Sequence, residues 1–243
     1  MLIINADDWA KNRASTDNSL SCFKAGRITS ASAMVFMKDS ERSAGFALET
    51  GIDVGLHINY TLPFDGSVQS DALSEYHSRI SRFLLSSKYN ILFYHPLLRN
   101  EFDYVYRSQY EEFLRLYNKT PGHINGHHHM HLCANVLFGK IIPTGAKVRR
   151  NFTFSSGEKD IINRYYRKII DKSIRKKYKC TDFFFSISPL RPKERILRIL
   201  EIAKTSTVEL MVHPECVEEY DFLMSDEFLN IISALEKSSF SSI

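Results

Sequence analysis

Seven short apolar runs, each four to six residues long and separated by amphipathic stretches, recur from one end of this 243-residue chain to the other. Runs that short and that apolar cannot present a face to water, which favours a parallel sheet covered by helices. The predicted strands are Leu2–Ala6, Ala33–Met37, Asp53–Ile58, Gly122–Asn125, Ala146–Arg149, Asp182–Phe185 and Val208–Val212. Between them, apolar residues at helical spacing predict helices over Thr16–Ala25, Ser40–Glu49, Glu75–Ser86, Glu101–Asn118, Lys159–Lys177, Pro192–Lys204 and Ser225–Lys237. No Pro/Ser/Gly linker interrupts this order, so the chain reads as one α/β domain over residues 1–243 with a frayed Ser-rich end at 238–243. Whether the sheet is open or closed into a barrel is left undecided by the pattern. The stretch Leu62–Leu73, with Pro63, Asp65 and Gly66, reads as a surface loop of the kind that covers sites.

Composition acts mainly by exclusion. At 44% hydrophobic and 25% charged residues the chain is ordinary for a soluble protein. No segment approaches the roughly eighteen consecutive apolar residues of a membrane span. Asp7 and Asp8 stand where a signal peptide would need a basic and then an apolar stretch, so a cytoplasmic protein with no membrane partner is expected. Cys22, Cys133, Cys180 and Cys216 are too widely spaced for a zinc ribbon or a thioredoxin motif and read as reduced thiols. The net charge of +4 is uneven: eight basic residues against Asp171 between Asn163 and Lys179 carry +7, leaving −3 on the rest. That segment also places Ile161, Ile162, Tyr165, Tyr166, Ile169, Ile170 and Ile174 at the spacing of one buried helix face. Its charges are then a solvated face, and no nucleic-acid partner is expected.

The chemistry gathers at the ends of the apolar runs. His123-Ile124-Asn125-Gly126-His127-His128-His129-Met130-His131 is dense in the commonest metal-binding side chain. Gly122 and Gly126 disfavour a continuous helix there, which places His123 to Asn125 on a strand and His127 just past its end, with one ligand expected from the cluster. Asp7 and Asp8 follow the run Leu2-Ile3-Ile4, and on an extended backbone their side chains point to opposite sides. One could ligate a cation while the other acts as a base; a helix N-cap would account for one of them. His57, ending Val54-Gly55-Leu56, and His213, ending Glu209-Leu210-Met211-Val212, repeat the design. A parallel α/β barrel gathers its catalytic groups at the C-terminal ends of its strands, where all five residues are predicted to lie.

The segments Ile4-Asn5-Ala6-Asp7-Asp8-Trp9, Gly55-Leu56-His57-Ile58-Asn59-Tyr60-Thr61, His123 to His131 and Glu209-Leu210-Met211-Val212-His213-Pro214 together resemble the four signatures of the YdjC-like carbohydrate deacetylases, which include chitooligosaccharide deacetylase. The resemblance runs from residue 2 to about 235 and includes Gly26 to Ser32 as a linker into the second strand. It implies a distorted TIM-like (β/α) barrel with about seven parallel strands, usually a homodimer, removing N-acetyl groups from amino sugars with one divalent metal ion, magnesium or zinc. Asp8, His57 and His127 match the metal ligands, Asp7 the general base and His213 the general acid. Arg149 matches a basic position near the site, with a surface charge after a strand as the alternative. Trp9 and Tyr60, beside the motifs, are candidates to face the sugar, with core packing as an equal account. The chain departs from the family pattern at Asn125, usually Asp; at Gly126, usually Ser; at Trp9-Ala10, usually Phe-Gly; and at Glu215, where Gly commonly follows His-Pro. Two other readings compete: a metal-dependent phosphodiesterase or amidohydrolase on another substrate, and a metal or saccharide binder that lost turnover through changes such as Asn125.

Overall fold

Residues 1–66, 70–154 and 161–243 are described by the computed structural model, the side chains of 161–166 excepted. Part of the loop 62–73, the start of the helix predicted from Lys159, and the apolar face at Ile161, Ile162, Tyr165 and Tyr166 therefore lie outside the described residues.

The central strand is β1 (Leu2–Trp9), buried along its whole length. Around it lie β2 (Ser30–Ala33), β3 (Asp53–Ile58), β4 (Ile124–Gly126), β5 (Phe183–Ser186) and β6 (Val208–Val212), in the spatial order β4-β3-β2-β1-β6-β5. Every pairing is parallel, so all six strands end on the same side. The predicted fifth strand at 146–149 is reduced to isolated bridges, Ile124 with Val148 and Lys147 with Lys179. Those bridges close the curl of the sheet. The Ile124 amide donates to Lys147 O at 2.8 Å and the Arg149 amide to Ile124 O at 3.0 Å. On the other edge the Val148 amide donates to Lys179 O at 2.9 Å and the Thr153 amide to Phe184 O at 2.8 Å. The irregular segment 146–153 thus connects β4 to β5, giving a distorted barrel of six strands plus one bridging segment.

The strand period of two sorts the lining. Leu2, Ile4 and Ala6, then Val54, Leu56 and Ile58, then Val208, Leu210 and Val212 belong to the apolar cluster between sheet and helices. The alternate residues face inward and are largely polar: Asn5 and Asp7, Ser30 and Ser32, His57, Asn125 and Glu209 are all buried. Here lies the reason β2 falls at Ser30–Ala33 and not at the predicted Ala33–Met37. Small side chains leave room for the inward polar groups, whereas Val35, Phe36 and Met37, better strand formers by propensity, pack beyond the strand end.

Helices α1 (Arg13–Lys24), α2 (Ser40–Thr50), α3 (Asp71–Ser86) and α4 (Arg99–Tyr117) fall close to their predicted spans. The short α5 (Ala134–Gly139) was not predicted, and α6 (Ile161–Lys177) and α7 (Lys193–Ala203) follow it. The helix predicted over 225–237 forms as the shorter α9 (Asp226–Ser233), capped by Ser225, which accepts from the Phe228 amide at 3.1 Å, while α8 (Val217–Met224), just before it, was not predicted. On α6, Ile174 is buried but Ile169 is 54% exposed, so the buried stripe is narrower than the predicted one. Lys168, Lys172, Arg175 and Lys176 are solvated. The Ser-rich end is built in: Phe240 is buried and stacks on His123 at 3.7 Å, and Lys147 Nζ donates to Phe240 O at 2.5 Å. Among the described residues no helix is long and apolar enough to cross a membrane.

Candidate active site

Because the strands are parallel, β1, β3, β4 and β6 deliver Asp7 and Asp8, His57, His127 and His213 to one end of the barrel. Alternation alone would send Asp7 and Asp8 to opposite faces. The structure departs from it: the β1–β2 register shifts between Ala6 and Trp9, and Asp8 takes a left-handed φ of 62°. Such a bulge re-aims a side chain. Both carboxylates consequently join one network.

Asp8 Oδ1 lies 3.2 Å from His57 Nε2 and 2.9 Å from His127 Nδ1. Among the described residues, Asp8, His57 and His127 form the group whose ligand atoms all lie within 4.8 Å of one another. Burial opposes ionisation of Asp8, but hydrogen bonds from His127 and His57 hold its carboxyl far below the usual range. Burial likewise opposes the charged form of His57, yet the charges of Asp7 and Asp8 raise its pKa. Asn125 fixes the ring: its Oδ1 lies 2.8 Å from His57 Nδ1, which assigns the proton to Nδ1 and turns Nε2 toward Asp8. The Asn125 Nδ2 donates to Ser32 Oγ at 2.7 Å and to Asp7 Oδ1 at 3.3 Å. An amide at 125 therefore orients His57 and also donates toward Asp7, whereas a carboxylate there would repel it.

The four histidines of the cluster other than His127 have different surroundings. His123 is buried beneath, with Nε2 2.9 Å from Ser32 Oγ; a Cβ on Gly55 would come within 2.4 Å of its ring, so only glycine fits opposite it. His128 and His129 both adopt left-handed backbone, at φ 52° and 58°. That double kink folds the turn back so that the His131 amide approaches Gly126, where a Cβ would sit 2.9 Å away. His128 Nδ1 lies 3.2 Å from Thr61 Oγ1, and the His129 ring meets Phe152 edge to face at 4.6 Å. His131 Nε2 lies 3.1 Å from Arg149 O, and burial lowers its pKa to about 3. One residue of the cluster, His127, thus faces Asp8.

Arg149 is fully buried, with no trace of the surface position considered from sequence. Its Nη1 and Nη2 hold Asp7 Oδ2 and Oδ1 at 2.6 and 2.7 Å, and its Nε holds Glu209 Oε1 at 2.6 Å. Its guanidinium lies 4.7 Å over the Phe184 ring. Burial alone would raise the Asp7 pKa, but Arg149 holds the carboxyl well below its ordinary value. Glu209 shares the same guanidinium less favourably, and burial pushes it up to about 7 from 4.5. A carboxyl whose folded pKa is raised contributes stability that is complete below 4.5 and lost as pH rises through about 7. Glu209→Gln is therefore expected to flatten the fall in stability across that window, read as denaturation midpoints at a series of pH values.

His213 sits on the rim just after β6 with its side chain 36% exposed. Its amide donates to Glu219 Oε2 at 2.6 Å, and its Nδ1 lies 3.9 Å from the same oxygen. Glu219, on the first turn of α8, escaped the sequence reading; the signal was a carboxylate six residues after the strand-end histidine. Trp9 and Tyr60, expected as sugar-facing rings, are both wholly buried. The Tyr60 hydroxyl donates to Phe102 O at 3.3 Å and its ring packs on Phe102. Neither offers a ring face to a ligand, and core packing accounts for both.

This arrangement has relatives. A carbohydrate deacetylase of Clostridium beijerinckii is 25% identical over 223 residues, covering 88% of this chain and 80% of its own. A chitooligosaccharide deacetylase of Proteus mirabilis is 28% identical over 153 residues, covering 60% of this chain and 54% of its own, little more than half of that protein. The crystal structure of a proposed cellobiose-phosphate cleavage protein from Enterococcus faecalis V583 superposes with a TM-score of 0.69 at 18% identity, over 99% of this chain and 97% of that one, a likeness of fold alone. The model of the YdjC-like protein family matches residues 1–234, and the chain belongs to that family.

Proposed function

We propose that the protein is a metal-dependent hydrolase that removes N-acetyl groups from amino-sugar saccharides. The observation that carries this reading is the convergence of Asp8, His57 and His127 beside an Arg149-bound Asp7 at one barrel end. The names of the relatives, carbohydrate and chitooligosaccharide deacetylase, point the same way.

The three ligands fit one divalent ion. They offer two nitrogens and one oxygen from different strands, with His57 turned by Asn125 so that Nε2 is the available atom. Two imidazoles favour zinc over magnesium. A bound ion would supply Lewis acidity toward the amide carbonyl and acidify an attacking water. The protein's own groups supply the rest. Asp7 Oδ1 already accepts from Arg149, Asn5 and Asn125, whereas Oδ2 accepts from Arg149 alone, so Oδ2 is the oxygen that takes the water's proton. Arg149 keeps that carboxylate ionised and aimed. His213, on the rim and backed by Glu219, protonates the departing sugar amine.

The test is acetate release from N,N′-diacetylchitobiose with added zinc or magnesium. Activity that survives Asp7→Asn or His127→Ala would sink the assignment. Asn125→Ala is expected to weaken zinc binding by roughly 10–100-fold, the usual cost of losing a group that orients a ligand histidine. Calorimetric titration of the folded variant would show it, and an unchanged affinity would remove Asn125 from the ligand's support.

A further inference from the structure

The oxygen of Asp8 that does not face the histidines is occupied by a lysine. Lys11 Nζ lies 3.2 Å from Asp8 Oδ2 and 2.8 Å from Glu215 Oε2. Glu215 in turn accepts from Asn12 Nδ2 at 2.8 Å through its other oxygen. Both ends of this pair are fixed by backbone. The Lys11 amide donates to Asp8 O at 3.1 Å, and Asn12 caps α1 through a reciprocal exchange with Ser15. On the far side Asn18 Nδ2 holds Pro214 O at 2.9 Å, locking the turn that carries Glu215 to α1. The ammonium therefore spans the barrel rim between the strand end bearing Asp8 and the one bearing His213.

We propose that the Lys11–Glu215 pair tunes the metal site: Lys11 holds Asp8 Oδ2, limiting Asp8 to one ligand oxygen, and Glu215 holds Lys11 there while offsetting its charge. The inference rests on the metal-site reading above. A fixed positive charge on the carboxylate that ligates a cation lowers affinity for that cation. Its partner's negative charge, farther out, partly restores it. Holding Oδ2 also leaves coordination positions for water and the acetyl oxygen, as a catalytic site needs. The two side chains thus act on the metal with opposite sign although they form one salt bridge.

That opposition separates tuning from simple bracing, because a brace weakens the site whichever half is removed. Zinc affinity would be measured on the metal-free full chain by competition with a chromophoric chelator, for the wild type, Lys11→Met, Glu215→Gln and the double variant, with Asp8→Asn as control. The expected results are binding about ten-fold tighter for Lys11→Met, the order of one unit charge at a partly screened site. Glu215→Gln should bind several-fold more weakly, and the double variant should return to within about three-fold of wild type. Lys11→Met binding zinc equally or more weakly overturns the tuning role and leaves the metal site standing, provided Asp8→Asn abolishes binding. A wild-type chain that binds no zinc overturns both.

Discussion

Replacing His127 by alanine is expected to abolish both zinc binding and acetate release, while alanine at His128 or His129 leaves zinc affinity within a few-fold of wild type. The contrast follows from the turn, not from composition. His127 is the member of the cluster that faces Asp8, at 2.9 Å, whereas His128 reaches Thr61 and His129 packs on Phe152. Losing a ligand should cost more than the roughly 10–100-fold of an outer-shell change. Titration of each purified variant with zinc, alongside the acetate assay, checks it. Equal losses at 127, 128 and 129 would mean that the cluster binds as a diffuse patch, and the site as drawn would be wrong.

Arg149→Met should produce the largest loss of stability. The side chain is wholly buried between Asp7 and Glu209, and its removal leaves two carboxylates without their cation. Breaking a buried pair by removing one partner costs about 3–5 kcal/mol. At about 2–4 °C per kcal/mol for a chain of this size, the melting temperature should fall by roughly 10 °C. The pH dependence has a definite sign. Asp7 is held below its ordinary pKa, so the stability from its pairing is present above that ordinary value and lost as pH falls. The deficit of the variant should therefore be greatest near neutrality and shrink in acid, where the carboxyls protonate. Arg149→Met combined with Glu209→Gln, which removes one of the two carboxyls that Arg149 held, should recover part of the loss. A deficit independent of pH would assign the damage to lost packing over Phe184 instead.

Much of the site could be read from the sequence because it is built at strand ends. β3 and β6 fall on their predicted spans, and β1 extends its predicted run to include the Asp pair. In each case an apolar run is followed by a residue whose burial would otherwise be costly. What escaped reading lies on the inward face. Asn5 and Ser32 are ordinary loop formers by propensity, and nothing local shows that with Asn125 they form one network across four strands. β2 was displaced for the same reason, since Ser-Ala-Ser-Ala carries little strand propensity and owes its place to its neighbours. Arg149 lies within an irregular segment, where a surface charge is the commoner outcome. Its true position had one sequence signal: Glu209, a carboxylate in the middle of the apolar run Val208–Val212, needs a buried partner. For Trp9 and Tyr60 the sequence left sugar contact and core packing equally open, because they neighbour the motifs, and both are buried in the apolar core.

The alternation along each strand divides the labour of the chain between two surfaces of one sheet. Residues that hold the helices on, such as Ile4, Leu56 and Leu210, occupy positions that never meet the site. Residues that meet the site, such as Asp7, His57 and Glu209, contribute nothing to the apolar layer. Evolvability follows from this separation: the inner lining can change its chemistry while the outer layer keeps the fold, and the outer layer can be strengthened while the chemistry is left alone.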